Sequence, residues 1–285
     1  MEQYVLYNET VTERTNVKID MEDRGYLFGD GIYEVVFVYN QKPFALKEHF
    51  TRFEQSAAKL EMKMPYSVER FYELTHELIT KNSLEHGIVY IQMTRGSGPR
   101  NHLYERNVDC AVTGFARQMQ PPAEDKKNGI AVLLTEDIRW LRCDIKSLNL
   151  LGNTMAKRKA ADSECAEAIL HRNGTCTEGS SSNVFIVKNN VLRTHPANNF
   201  ILNGITRQFI LKIAEEQNIT VREEAFTTSE LKEADEVFIS STAQEVTPVI
   251  SVKGDIEQIF EIGPVTRLLQ EKLKEKINKL SEKSK

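Results

Sequence analysis

Runs of apolar residues at two distinct spacings divide this chain into short elements. Apolar and polar residues alternate through I-V-Y-I-Q-M-T at residues 88–94, which predicts a strand with one buried face. The β-rich run Ile32–Tyr39, the segments C-A-V-T-G-F-A and G-I-A-V-L-L-T-E-D-I-R-W, and the late run E-V-F-I-S predict further strands. Y-V-L-Y and V-K-I-D near the start read as two short strands, and V-F-I-V, K-N-N, V-L-R-T as a hairpin.

Helical spacing appears elsewhere. Residues 48–60 place Phe50, Phe53, Ala57 and Leu60 on one face. Residues 67–81 do the same with Val68, Phe71, Leu74 or Thr75, and Leu78. A-K-R-K-A-A-D-S-E-C-A-E-A reads as a helix. Another opens near Gly204–Thr206, with Phe209, Ile210 and Ile213 on its apolar side. Thr227 and Glu230 stand at capping-box spacing. The last helix starts at Gly263-Pro264 and carries Val265, Leu269, Leu273 and Ile277 inward. The sum is a mixed α+β chain. The polar stretch R-Q-M-Q-P-P-A-E-D-K-K-N-G suggests a boundary, with an N-terminal domain at 1–118, a linker at 119–122 and a C-terminal domain at 123–285.

Composition narrows the class. Hydrophobic residues make up 40% and charged residues 27%, with a net charge of −4, an ordinary globular balance with no nucleic-acid footprint. No apolar run has the length of a membrane span, and the start lacks the basic and apolar regions of a secretory signal. Cys110, Cys143, Cys165 and Cys176 are scattered without C-x-x-C, so they predict reduced thiols in the cytoplasm and no metal site. Cys143 reads as a small core residue, with a functional thiol as the alternative. Trp140 reads equally as core or as a pocket wall.

The chemistry concentrates between Arg139 and Val184. Lys146 is set among Ile145, Leu148 and Leu150, and an amine held by apolar side chains is favoured as a nucleophile. Taken alone it reads more readily as one solvated lysine among many. Arg100 and His102, two apart in the loop G-S-G-P-R-N-H, can both face one anion. They read otherwise as a basic surface loop. Gly204 and Thr206 at a helix start can offer amides and a hydroxyl to a phosphate, or can simply cap the helix. Arg52 lies off the apolar stripe of its helix, as a solvated arginine does. His49 and His76 read as helix residues without a chemical role.

Several blocks occur in a fixed order: R-G-Y-x-F-G-D-G-x-Y-E, E-H-x-x-R, R-G-S-G-P-R-N-H, the lysine stretch, T-E-G-S-S-S-N, G-I-T-R, and S-T-A. From Tyr4 to about residue 270 the chain resembles the pyridoxal-phosphate-dependent aminotransferases of fold type IV. It is most similar to their D-amino acid branch. The resemblance implies a small N-terminal α/β domain and a larger domain with a β-barrel-like sheet. It implies that Lys146 is the catalytic lysine and bonds to the cofactor, and that Glu178 pairs with the ring nitrogen. It also implies that Arg52, Ile205, Thr206, Ser241 and Thr242 hold the cofactor, with the phosphate on Arg52, the G-I-T-R turn and Thr242. Tyr33 would serve both cofactor and substrate, Arg100 and His102 would grip the substrate carboxylate across a homodimer interface, and Ser181 and Ser182 would line the substrate side.

By the same resemblance the reaction is ping-pong amino transfer from a D-amino acid such as D-alanine to a 2-oxo acid. Where the best-known members carry a lysine, this chain has Phe37, which leaves the preferred side chain open. The alternatives are a branched-chain or (R)-amine transaminase or an aminodeoxychorismate lyase of the same fold, and a non-catalytic pyridoxal-phosphate-binding protein.

Overall fold

The structure, a computed structural model, describes residues 3–282, with side chains described through residue 279. The chain forms two compact units. One comprises the chain up to Gln120 together with Ile145–Asn149; the other comprises Pro121–Asp144 and Leu150–Lys279.

In the first unit β1 (Tyr4–Tyr7) and β2 (Thr10–Glu13) precede a short helix, α1 (Arg24–Phe28). There follow β3 (Gly31–Tyr39), β4 (Lys42–Pro43), α2 (Leu46–Lys59), α3 (Val68–Lys81), β5 (His86–Thr94) and β6 (Ala111–Gln118). V-K-I-D is not a strand: T-V-T-E takes that place and pairs with β1, and a turn of 3-10 helix at Arg14–Asn16 separates the two. The strands form a six-stranded antiparallel sheet in the order β2-β1-β6-β5-β3-β4. Helices α2 and α3 cover it. Phe50, Phe53, Phe71, Leu74 and Leu78 pack with Ile32, Val89, Ile91 and Met93 in one core. Burying five such side chains contributes roughly 1.5–3 kcal/mol each, which holds the helices on the sheet.

The segment Ile145–Asn149 joins this unit from far along the chain. It lies against the start of β3: Tyr33 N donates to Lys146 O at 3.0 Å, Leu148 N donates to Gly31 O at 3.0 Å, and Ser147 bridges to Ile32. Gly31 permits the approach, because a Cβ there would stand 2.7 Å from Leu148 Cδ1.

The second unit begins with α4 (Ala123–Asn128), β7 (Ile130–Glu136), α5 (Leu151–Asp162), β8 (Glu167–Arg172), β9 (Thr175–Gly179), β10 (Asn183–Lys188) and β11 (Val191–Thr194). It continues with α6 (Ile205–Glu216), β12 (Thr220–Glu223), α7 (Thr228–Lys232), β13 (Glu236–Ser241), β14 (Glu245–Gly254), β15 (Gln258–Ile259) and α8 (Pro264–Glu282). The predicted hairpin is β10–β11, and the capping box of Thr227 and Glu230 opens α7. Val265, Leu269, Leu273 and Ile277 are buried along α8, as their spacing requires.

The sheet path is β12-β11-β10-β13-β14-β7-β8-β9. Strands β9 and β10 stand five steps apart on it, about 24 Å in a flat sheet. Residues 180–182 alone connect them, a link that reaches at most about 15 Å. The sheet therefore curls toward closure, the barrel-like form the resemblance implies.

Candidate active site

In the first unit Lys146 is fixed at its backbone by β3 and by Ser56 of α2, whose Oγ accepts from Lys146 N at 3.3 Å. Its side chain is half-buried, and Nζ lies 4.2 Å from the centroid of the Tyr33 ring. Tyr33 in turn stacks on Tyr90, 5.5 Å between ring centres. Residues alternate across β3, so Tyr33, Val35 and Phe37 share one face and Ile32, Glu34 and Val36 the other. Phe37 is buried, against Tyr39.

Glu34 changes the reading of α2. Arg52 is buried, not solvated: its Nε and Nη2 donate to Glu34 Oε1 and Oε2 at 2.7 and 2.9 Å. His49 is buried too, with Nδ1 at 2.7 Å from Glu34 Oε2. His49 is thus no bystander, whereas His76 is exposed. Burial pushes the Glu34 carboxyl up, but Arg52 and His49 outweigh it and hold it at about 2. Burial pushes His49 down, and the nearby charges of Arg52 and Lys146 add to this against the pull of Glu34. The neutral ring donates Nδ1–H to the carboxylate. Glu34 was detectable in principle. A carboxylate whose same-face neighbours are Ile32 and Val36 is buried and needs cations around it.

Arg100 and His102 are exposed and have no carboxylate partner among the described residues. The structure brings both to one ring: Arg100 Cζ is 5.2 Å from the Phe28 centroid, and the His102 ring is 5.5 Å from it.

In the second unit Glu178 ends β9 in a buried position. Arg139 Nη1 donates to Glu178 Oε1 at 2.5 Å. Asn183 Nδ2 and Leu202 N donate to Oε2, each at 3.0 Å. Arg139 is held by Asp137, which accepts from its Nε and Nη2 at 2.9 Å each and also from Arg172 and Thr177. Burial pushes the Glu178 carboxyl above the usual range, against the pull of Arg139. A carboxylate offers about four acceptor positions; three are used here, and one remains for a further N–H.

Asn183 links Glu178 to the start of α6. Its Nδ2 also donates to Leu202 O at 2.8 Å, and its Oδ1 occupies the space that a Cβ on Gly204 would need. Gly204 is the N-cap of α6 and supplies no side-chain cap to the amides that follow, including those of buried Ile205 and Thr206. Such a helix start is suited to an anion. Asn183 pairs with Ser240 in β13, so Ser241 and Thr242, both half-buried, follow at the same end of the sheet.

Ser181 and Ser182 point elsewhere. Their hydroxyls, with that of Ser180, donate to Glu167, a fully buried carboxylate; Ser181 does so at 2.8 Å. Cys143 is core: it is buried, its thiol donates to Trp140 O, and burial pushes it up to about 11. Trp140 is 39% exposed and is not core. Sequence reasoning assigned no role to Arg139, Asp137 or Asn183, since their use depends on which residues the sheet curls together.

These halves carry an anion-binding helix start, a buried carboxylate with one open acceptor position, and a lysine fixed beside a tyrosine. The chain belongs to the class IV aminotransferases: the family described as Amino-transferase class IV matches residues 31–252. It is 48% identical over 268 residues to the D-alanine aminotransferase of Staphylococcus haemolyticus, covering 94% of this chain and 95% of that one. It is 47% identical over 278 residues to the D-alanine aminotransferase of Listeria monocytogenes, covering 96% of both. Among solved structures, the branched-chain amino acid aminotransferase of Escherichia coli matches with a TM-score of 0.90 at 28% identity, over 96% of this chain and 94% of that one. A thermophile's branched-chain enzyme complexed with N-(5'-phosphopyridoxyl)-L-glutamate matches with a TM-score of 0.86 at 26% identity, over 96% and 94%.

Proposed function

We propose that this protein is a D-amino acid aminotransferase that moves the amino group of D-alanine, and of other D-amino acids, to 2-oxoglutarate, giving pyruvate and D-glutamate. The observation that carries the reading is the gathering of Arg100 and His102 at Phe28, two exposed cationic or donor groups with no internal carboxylate partner. A guanidinium and an imidazole at that spacing suit a carboxylate. The names of the relatives that are 47–48% identical support the same substrate class.

Pyridoxal 5'-phosphate fits the residues present. The uncapped start of α6 at Ile205 and Thr206, with Ser241 and Thr242 beyond β13, offers amides and hydroxyls to its phosphate, with Arg52 as the cation. The open acceptor position on Glu178 suits its ring N–H. When bound, the cofactor supplies an electron sink for the α-carbon of the amino acid. Lys146 Nζ carries the reaction's proton, taking it from the α-carbon and returning it. Glu178, raised by burial, shares its proton with the ring nitrogen and keeps that nitrogen cationic. Tyr33 sets the direction of the Lys146 amine. Arg100, His102 and Tyr33 hold the carboxylate, and the side on which it is held selects the enantiomer. Ser181 and Ser182 shape the substrate side through the loop that Glu167 anchors.

We also propose a cytoplasmic homodimer with active sites at the interface. Leu151 and Met155, one turn apart on α5, are 80% and 58% exposed. With Leu141, Tyr26 and Leu103, also exposed, they suit cover by a second copy. The four cysteines are free, and no helix among the described residues is long and apolar enough to cross a membrane. Division into an N-terminal domain, a short linker around 119–122 and a cofactor-binding domain accords with the two compact units.

The test is a coupled assay of pyruvate formed from D-alanine and 2-oxoglutarate with added pyridoxal phosphate. L-alanine, L-leucine and (R)-1-phenylethylamine run as parallel donors. Turnover with D-alanine that is absent in Lys146→Ala is expected. Turnover with L-leucine or the amine alone overturns the carboxylate assignment, and no turnover with any donor points to a non-catalytic binding protein.

A further inference from the structure

The loop carrying Arg100 and His102 has no regular secondary structure, yet it is clamped along its length. At its start Arg24 N donates to Gly96 O at 2.9 Å, and Asp23 bridges to Ser97. Toward its end Tyr104 donates to Glu61 at 2.6 Å and lies under the Arg95 guanidinium, 4.0 Å from ring centre to Cζ. Between these clamps α1 acts twice. Arg24 Nη1 donates to the carbonyl of Asn101, the residue between Arg100 and His102, at 2.6 Å. Phe28, one turn along, meets Arg24 at 4.7 Å, Arg100 at 5.2 Å and the His102 ring at 5.5 Å.

Two guanidiniums on one aromatic ring repel unless one of them is neutralised. Asp30 does this for Arg24, accepting from its Nε at 2.8 Å, and it accepts from buried Arg95 at the same distance. Arg24 is therefore committed to Asp30 and to the loop backbone. Arg100 keeps its charge free of an internal carboxylate.

We propose that Phe28 and Arg24 are positioning residues that hold Arg100 and His102 in the arrangement that receives a substrate carboxylate. This rests on the reading of that pair as the carboxylate grip. Freezing two exposed, rotamer-rich side chains costs about 0.5–1.5 kcal/mol each at the moment of binding. A ring already in contact with both removes much of that cost, and the Arg24 bond fixes the backbone from which both project.

The test uses the full-length holoenzyme with Phe28→Leu, Phe28→Tyr, Arg24→Gln and Arg100→Ala. Two readouts are taken: KM and kcat for D-alanine and 2-oxoglutarate, and amide hydrogen exchange in residues 97–104. Phe28→Leu is expected to raise KM for both substrates about tenfold, with kcat falling far less, and to speed exchange in the loop. Phe28→Tyr, which keeps the ring face, is expected to restore both. Phe28→Leu added to Arg100→Ala is expected to cost little beyond Arg100→Ala alone, because the residue being positioned is already gone. If Arg24→Gln does not fold, the Phe28 pair carries the test.

Unchanged KM and unchanged exchange in Phe28→Leu, with KM raised in Arg100→Ala, overturns the positioning role and leaves the carboxylate assignment standing. Unchanged KM in Arg100→Ala overturns the carboxylate assignment itself and the proposal with it.

Discussion

Arg139 Nη1 stands 2.5 Å from Glu178 Oε1 in the interior, and the same guanidinium is gripped on its other edge by both oxygens of Asp137. One arginine thus separates two buried carboxylates. Removing it leaves them facing each other without a cation, and Glu178, already raised by burial, rises further. Arg139→Met is expected to lower kcat roughly 10- to 100-fold while the protein still binds pyridoxal phosphate. Steady-state kinetics and the visible absorbance of the bound cofactor check this. A full-rate Arg139→Met enzyme means that Glu178 does not depend on Arg139.

Glu34 and its partners predict an acid-sensitive stability. The folded Glu34 carboxyl sits at about 2, well below its ordinary value, so its contribution is present above about pH 4.5 and lost as pH falls toward 2. His49 is lowered in the folded state, so the unfolded chain takes up its proton first. That stability declines as pH falls below the ordinary histidine range. Both signs agree, and thermal melts should shift downward on acidification in two stages. Glu34→Gln strips Arg52 of its buried anion, a change costing about 3–5 kcal/mol and lowering Tm by roughly 10 °C. It should also flatten the lower stage of the pH profile.

Lys146→Ala should separate fold from chemistry. The Lys146 backbone, not its side chain, bonds to β3, and the side chain is half-buried beside Tyr33. The variant is expected to melt within a few degrees of the parent and to lose turnover by a factor on the order of 10⁴ or more. Calorimetry and the pyruvate assay on one preparation check both halves. A large drop in Tm with residual turnover contradicts the assignment.

The exposed pair Leu151 and Met155 on α5 provides a test of assembly. Charges placed there by Leu151→Lys and Met155→Glu leave the monomer's core untouched and oppose burial against a second copy. Sedimentation velocity should show a dimer for the parent and a shift to monomer for the double variant. An unshifted dimer places the interface elsewhere.

The sequence by itself determined the elements and the family. Phe50, Phe53 and Ala57 at helical spacing, and Val89, Ile91 and Met93 at strand spacing, are local patterns that packing preserves. The ordered blocks around Lys146, Glu178 and Thr206 carry chemistry in the residue types themselves, so the resemblance could reach them. Tertiary structure alone decided the partners. Ile145–Asn149 lies along β3 because Gly31 leaves room for it, more than a hundred residues away in the chain. Arg52 reads as solvated from its position on the helix, yet Glu34 on the facing strand takes it inside. The serines after Glu178 turn to Glu167, and Arg139 meets Glu178, because the sheet curls to join β9 to β10 through a short link. Periodicity reports which face of an element avoids water; it carries no information on which buried charge that face will meet, since that depends on contacts between distant segments.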